Sequence, residues 1–293
     1  MKEYKIKPLL TGYFHMDWGN VCAPLLGVYV ADLPVFMFLI EGNGEQIIVD
    51  AGFNPETTVG KMIFNPVPRK PEEEITEVLK RAGVDPAKIT KVIISHLHHD
   101  HTGYMKLFTN AKFFVQETEL LETTYPVGTQ AIGVAHKDWV DLVPRFRLLN
   151  GDFKLADGID LILAPGHTAG HQATMVNTSK GKAILLGDAA YLLGGFAKRF
   201  PTLFGDLIQK TMSVKTATIN FTAAEFQQDI ANVFGARFGG LFGPCILNPG
   251  QNVQSLNKLD LMADILVPSH DVHMLKWKVL PDDYDLFDIE VRY

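Results

Sequence analysis

Cysteine is nearly absent from this chain: Cys22 and Cys245 are the only two in 293 residues. Two thiols cannot build a disulfide framework, so the fold must rest on packing, and the pair points to a reducing, cytoplasmic compartment. Basic charge is also scarce. Twenty-seven Lys and Arg stand against 33 Asp and Glu, a formal net charge of −6, with no Lys/Arg stripe. Nucleic acid as a partner would need a basic footprint, so it is not expected. Long unbroken apolar runs are missing as well. The stretch 21–40 is interrupted by Pro24, Asp32 and Pro34, and reads as strands rather than a membrane span. Residues 1–7 carry charges with no continuous apolar region after them, so no secretory signal is expected. What the chain does have is 47% hydrophobic residues, enough to bury a full core.

The densest chemistry lies between Ser95 and Tyr104. His96, His98, Asp100 and His101 crowd six positions directly after the apolar β-branched run Lys91–Ser95. The run reads as a short strand, which puts these side chains on the loop that leaves it. So many polar groups next to a buried strand are costly to fold unless something binds them. Imidazole and carboxylate are the ligands zinc takes when cysteine is lacking, and this spacing suits two adjacent ions. Three more such residues follow other predicted strands: His167 after Ile159–Leu163, Asp188 after Ala183–Gly187, and His270 after Ala263–Pro268. Loops at one sheet edge converge, because strands fix their geometry. Any one of these residues alone would pass for a structural residue. Together they read as a binuclear centre.

The pattern His-x-His-x-Asp-His, then a His, an Asp and a final His, resembles the metallo-β-lactamase superfamily, and the match covers most of the chain. The resemblance implies a four-layer αββα sandwich with metals at one edge, as a single domain over 1–293. It also implies two divalent cations, zinc foremost, with manganese, iron or cobalt as alternatives. Carried over position by position, His96, His98 and His167 would hold the first ion. Asp100, His101 and His270 would hold the second, and Asp188 would bridge them. Asp50 in the run Ile47–Gly52 matches the family's Asp-x-Gly turn, which supports the ligand loop from behind. The superfamily's flavodiiron branch carries Glu where this chain has His98, so a redox role is disfavoured.

Within the superfamily the chain looks most like the acyl-homoserine-lactone lactonases. The stretch Leu33–Asp50 resembles their first hairpin, and Tyr191 stands three residues after the bridging aspartate, as theirs does. The resemblance implies a hydrolase that opens a lactone ring by attack of a metal-bridging hydroxide. Tyr191 would assist the developing oxyanion, and Asp100 or Asp188 would carry charge or the proton. Other hydrolases of the superfamily, acting on a thioester, an amide or β-lactam, or a phosphodiester, are the alternative. A metal-bearing sensor without turnover is a third. The acidic segment Pro281–Asp288 lacks the basic cluster that glutathione binding in glyoxalase II would need.

One segment departs from a compact lactonase pattern. Asp188 and His270 are 82 positions apart, and eight of the nineteen phenylalanines fall in the interval. Residues 192–250 therefore read as a helical, aromatic insertion, with a capping box at Thr222–Glu225 opening one helix. Extra core or a homodimer interface is one reading of it. A hydrophobic cap over a small acyl substrate is the other. Met16 and Trp18, in a stretch expected to precede the first strands, could line the same pocket, as could Met62, Phe64 and Phe196. The clearest helix is expected over 71–83, with Pro at its start and Gly83 at its stop. His99, lying between ligands, is expected to point outward, and His171 to support the His167 loop.

Overall fold

The computed structural model describes residues 1–21, 30–196, 198–200, 202–207 and 246–284. Both cysteines, the capping box at Thr222–Glu225 and most of the 192–250 insertion lie outside the described residues. Twelve strands among the described residues form two sheets. They are β1 (Lys5–Asp17), β2 (Val30–Gly42), β3 (Glu45–Val49), β4 (Asn65–Pro66), β5 (Lys91–Ile93) and β6 (Lys112–Gln116), then β7 (Phe146–Leu149), β8 (Phe153–Ala156), β9 (Ile159–Leu163), β10 (Gln172–Thr178), β11 (Gly181–Gly187) and β12 (Ile265–Pro268). One sheet has the order β4-β1-β2-β3-β5-β6-β7 and the other β12-β11-β10-β9-β8.

Strand β2 shows why the sheets stack as layers. Its side chains alternate, as the two-residue period of a strand requires. Phe36, Phe38 and Ile40 enter a core shared with Ile159, Leu161 and Val176 of the second sheet. Met37 and Leu39 enter a separate cluster with Ile75, Val78 and Leu79 of the helix α1 (Ile75–Arg81). A strand buried on both faces reads as a continuous apolar run, which is what Leu33–Ile40 is. Each fully buried side chain of this kind contributes about 1.5–3 kcal/mol. The result is the αββα sandwich expected from the sequence.

Two local expectations need correction. The helix expected over 71–83 is split into a 3-10 turn, Pro71–Glu73, and α1. The Glu73 carboxylate accepts from the Lys70 N–H at 2.8 Å and closes the first turn separately, after which Glu74 is extended. The stretch 13–18 does not precede the first strand: residues 13–17 are the end of β1, paired with β2 through Asp17↔Val30. Residues 22–29, within the stretch also read as strands, lie outside the described residues, and β2 begins at Val30.

Strand ends carry the chemistry, because β3, β5, β9, β11 and β12 all run out toward the same residues. Asp50 follows β3, His96 follows β5, His167 follows β9, Asp188 follows β11 and His270 follows β12. Parallel pairing of β3 with β5, and of β11 with β12, brings those ends level.

Candidate metal centre

The ligand loop is held from beneath by a strained residue. Asp50 has φ of +60°, a left-handed conformation that costs a non-glycine residue about 1–2 kcal/mol. Its carboxylate offsets this. Oδ1 accepts from the Ser95 N–H at 2.7 Å, and Oδ2 accepts from the Ser95 hydroxyl at 2.9 Å. Oδ2 also lies 2.8 Å from His101 Nδ1. The ligand-bearing segment then turns into the short helix α2 (His99–Thr102).

Three imidazole nitrogens converge above that loop. His96 Nε2, His98 Nδ1 and His167 Nε2 stand 3.0 Å from one another, pair by pair. Each ring's other nitrogen has its own oxygen partner. His96 Nδ1 lies 3.0 Å from Ser95 Oγ, His98 Nε2 lies 2.9 Å from Gln130 Oε1, and His167 Nδ1 lies 3.1 Å from the Tyr191 hydroxyl. Those outer contacts place the proton on the outer nitrogen, so three lone pairs face one point. Acceptors so close repel unless a cation lies among them. Their separation approaches the ~3.3 Å edge of a tetrahedron whose nitrogen ligands lie about 2.0–2.1 Å from its centre.

A second group adjoins the first. Ligand-type atoms of Asp100, His101, Asp188 and His270 all lie within 4.8 Å of one another. His101 Nε2 is buried without a hydrogen bond, facing Asp188 Oδ1 at 3.2 Å and Asp100 Oδ2 at 3.7 Å. His270 Nε2 faces the same two oxygens at 3.3 and 3.5 Å, while its Nδ1 lies 2.9 Å from the Pro34 carbonyl. Asp188 joins the groups, since its Oδ2 lies 3.6 Å from His167 Nε2 and 3.8 Å from His96 Nε2. Its backbone N–H donates to His171 Nε2 at 3.1 Å. Gly187 before it has φ of +52°, and a Cβ there would lie 2.6 Å from that His171 nitrogen. Only glycine leaves room for the turn.

The charge pattern differs between the two groups. Burial holds His96 and His167 well below the usual imidazole value and His98 below it, so these rings are neutral lone-pair donors. Burial pulls His101 the same way, but Asp188, Asp100 and Asp50 outweigh it and raise it well above the usual value. His270 is raised against burial by Asp188 and then Asp100. Asp188, despite burial, is held well below the usual carboxylate range by His101 and His270. Two buried carboxylates thus demand positive charge at this point. The donor set, nitrogen and oxygen without sulfur, fits two divalent cations.

Above the ligands lies a cavity of about 770 Å³, counting its open mouth. Its apolar wall includes Phe14, Met16, Leu33, Phe64 and Ile132, and its polar floor includes His98, Asp100, His167, Asp188, Tyr191 and His270. Two of the five residues expected at the pocket, Met16 and Phe64, line it. Three do not. Trp18 and Phe196 are packed into the core shared by the sheets, and Met62 is fully exposed on a turn. A large apolar side chain near a site is as readily core as contact, and sequence position alone could not separate the two.

His99 also overturns its expectation. It does not point outward: it is 1% exposed and lines the cavity. Its ring stands edge-on to Phe14 and Phe64, at centroid distances of 5.5 and 5.1 Å. Burial lowers its pKa to about 4, and its Nδ1 has no hydrogen-bond partner. His171 lies beneath Asp188, and its Nδ1 meets the Ala164 carbonyl at the base of the His167 loop. Sequence reasoning missed Gln130 and Glu119. Nothing in their spacing marks them, because each reaches the site through tertiary packing.

This sandwich, with its histidine and carboxylate clusters at one edge, is the architecture of a metal-dependent hydrolase. The family model described as the metallo-beta-lactamase superfamily matches residues 30–270, and the chain belongs to that superfamily. It is 30% identical over 200 residues to an N-acyl homoserine lactonase of a Bacillus species, spanning 65% of this chain and 78% of the relative. It is 29% identical over 210 residues to the corresponding enzyme of Bacillus thuringiensis, spanning 69% and 82%. A solved N-acyl homoserine lactone hydrolase with the product N-hexanoyl-L-homoserine at its catalytic metal centre shares the fold. The TM-score is 0.67 at 24% identity, covering 94% of this chain and 96% of that one. No helix among the described residues is long and apolar enough to cross a membrane.

Proposed function

We propose that this enzyme opens the ring of small, hydrophobic lactones, acyl-homoserine lactones foremost, at a centre of two divalent cations. Cleavage of such signals would make it a quorum-quenching enzyme. The observation that carries the reading is Tyr191, three residues after Asp188, against His167 and in the floor of an apolar cavity. Lactonase relatives of similar sequence support it. The chain reads as one domain, with 192–250 as an insertion within it. Two cysteines in 293 residues favour a reducing, cytoplasmic setting.

His96, His98 and His167 would hold one cation, and Asp100, His101 and His270 the other, with an Asp188 oxygen turned to each. Such ions supply Lewis acidity toward a carbonyl oxygen and acidify water toward neutral pH, which removes the need for a separate strong base. The protein's own groups do the rest. The apolar wall around Phe14, Met16 and Phe64 grips the acyl chain and excludes water from the reacting end. The Tyr191 hydroxyl donates to the carbonyl oxygen as it gains charge. Asp100, the most open of the seven ligand-type residues at 9% exposure, takes the proton released by the attacking water and returns it to the departing alkoxide. Zinc suits these donors best, and manganese, iron and cobalt are also compatible.

A pH-indicator assay tests this reading with metal-quantified protein. The panel holds short- and long-chain homoserine lactones, an aromatic lactone, a chromogenic β-lactam and a phosphodiester. Ring opening confined to lactones is expected. Cleavage of the phosphodiester or the β-lactam alone would overturn the reading.

A further inference from the structure

Glu119 is a carboxylate buried to zero exposure on α3 (Glu117–Thr124), in a place where solvation is lost and no lysine or arginine among the described residues pairs with it. Burial pushes its carboxyl up to about 7, above the usual glutamate value. Such a group is kept only where its oxygens are needed. Oε1 accepts from the Leu97 N–H at 2.8 Å, and Oε2 accepts from the Thr168 hydroxyl at 2.5 Å. Leu97 stands between His96 and His98, and Thr168 follows His167. One carboxylate therefore ties together the two loops whose three nitrogens converge.

The docking around it is close. A Cβ on Gly170 would lie 2.1 Å from the Glu119 backbone nitrogen, so the His167 loop sits directly on the start of α3. Glu122 Oε2 accepts from the Ala169 N–H at 2.7 Å in the same contact. The second group of ligands is anchored elsewhere. His101 is held by Asp50 and by the Ala51 N–H on its carbonyl, and His270 by the Pro34 carbonyl.

We propose that Glu119 is a positioning residue that locks the two loops of the three-histidine pocket in register. It thereby sets that pocket's affinity for a divalent cation without touching the cation. The inference rests on the metal-centre reading above and adds to it which pocket depends on which support. A glutamine at 119 keeps both contacts, since its oxygen accepts from Leu97 while its amide donates to the Thr168 oxygen. Leucine keeps the volume and removes both.

The test is titration of the full-length, chelator-stripped chain with cobalt(II) alone, read by chelator competition. In a His270→Ala background, which leaves the three-histidine pocket, Glu119→Leu weakens cobalt binding about 10- to 100-fold. Glu119→Gln restores it to within about threefold. In a His167→Ala background, which leaves the other pocket, Glu119→Leu changes binding less than about threefold. Thr168→Val removes one contact without emptying the space, and carries the test with a smaller loss in the same pocket if Glu119→Leu does not fold. Equal losses in both backgrounds, or no loss in the first, overturn the proposal while the metal centre stands. A wild-type chain that takes up no cobalt overturns both.

Discussion

The Tyr191 hydroxyl lies 3.1 Å from His167 Nδ1, with the two rings perpendicular at 89°. The phenol oxygen thus accepts a hydrogen bond from the Nδ1–H of a ligand histidine and fixes that ring's orientation, and Tyr191 lines the cavity. Tyr191→Phe keeps the ring and removes the oxygen. It is expected to retain two metal equivalents and to lower turnover roughly 100-fold, the size of one lost oxyanion donor. Metal analysis alongside steady-state kinetics checks this. Unchanged turnover on every active substrate would remove Tyr191 from the chemistry.

Asp188 turns a different oxygen to each histidine group. Asp188→Ala should therefore cost more than one ligand's share of affinity. Loss of at least one metal equivalent together with activity is the expected outcome, measured by elemental analysis of purified protein. Retention of both ions would show that the two pockets do not depend on a shared carboxylate.

His99 presents an unpaired polar atom to an apolar wall. Leaving a buried polar group unsatisfied costs about 1–3 kcal/mol, so His99→Leu should hold or raise the thermal midpoint. It should also lower KM for long unsubstituted acyl chains several-fold, by about the 0.8 kcal/mol that each buried methylene contributes. A higher KM for those chains would show that the imidazole makes a favourable contact with substrate.

Glu119 predicts a pH signature in the metal-free chain. Its folded pKa, about 7, lies above the 4.5 of an ordinary glutamate. The native state therefore binds the proton more tightly, and stability falls as pH rises from about 4.5 to 7, with the full cost present above 7. Glu119→Gln removes that dependence. Relative to wild type its unfolding free energy should rise across the window, by at most about 3 kcal/mol. Denaturant melts at pH 5 and pH 8 measure it, and a constant difference between the two proteins would contradict the buried-carboxylate reading.

The ligand-type residues were legible in the sequence because each sits at a strand end, where spacing in the chain becomes spacing in space. The strands expected over Ile159–Leu163 and Ala183–Gly187 were legible for the same reason: their apolar pattern is local. The supports were not. Gln130 and Glu119 lie on turns and helices whose own patterns show nothing unusual, and they meet the loops only after the sheets close. His99 was misjudged because neighbouring positions on a loop need not alternate in and out as on a strand. Here α2 turns it back between Phe14 and Phe64.

The most direct measurement adds zinc in steps to the chelator-stripped enzyme while N-hexanoyl homoserine lactone opening is followed with a pH indicator. Activity should be absent without metal and rise to its plateau as the second equivalent per chain is taken up. Full lactone opening in the stripped enzyme, or no opening at two bound equivalents, would contradict a two-metal lactone hydrolase.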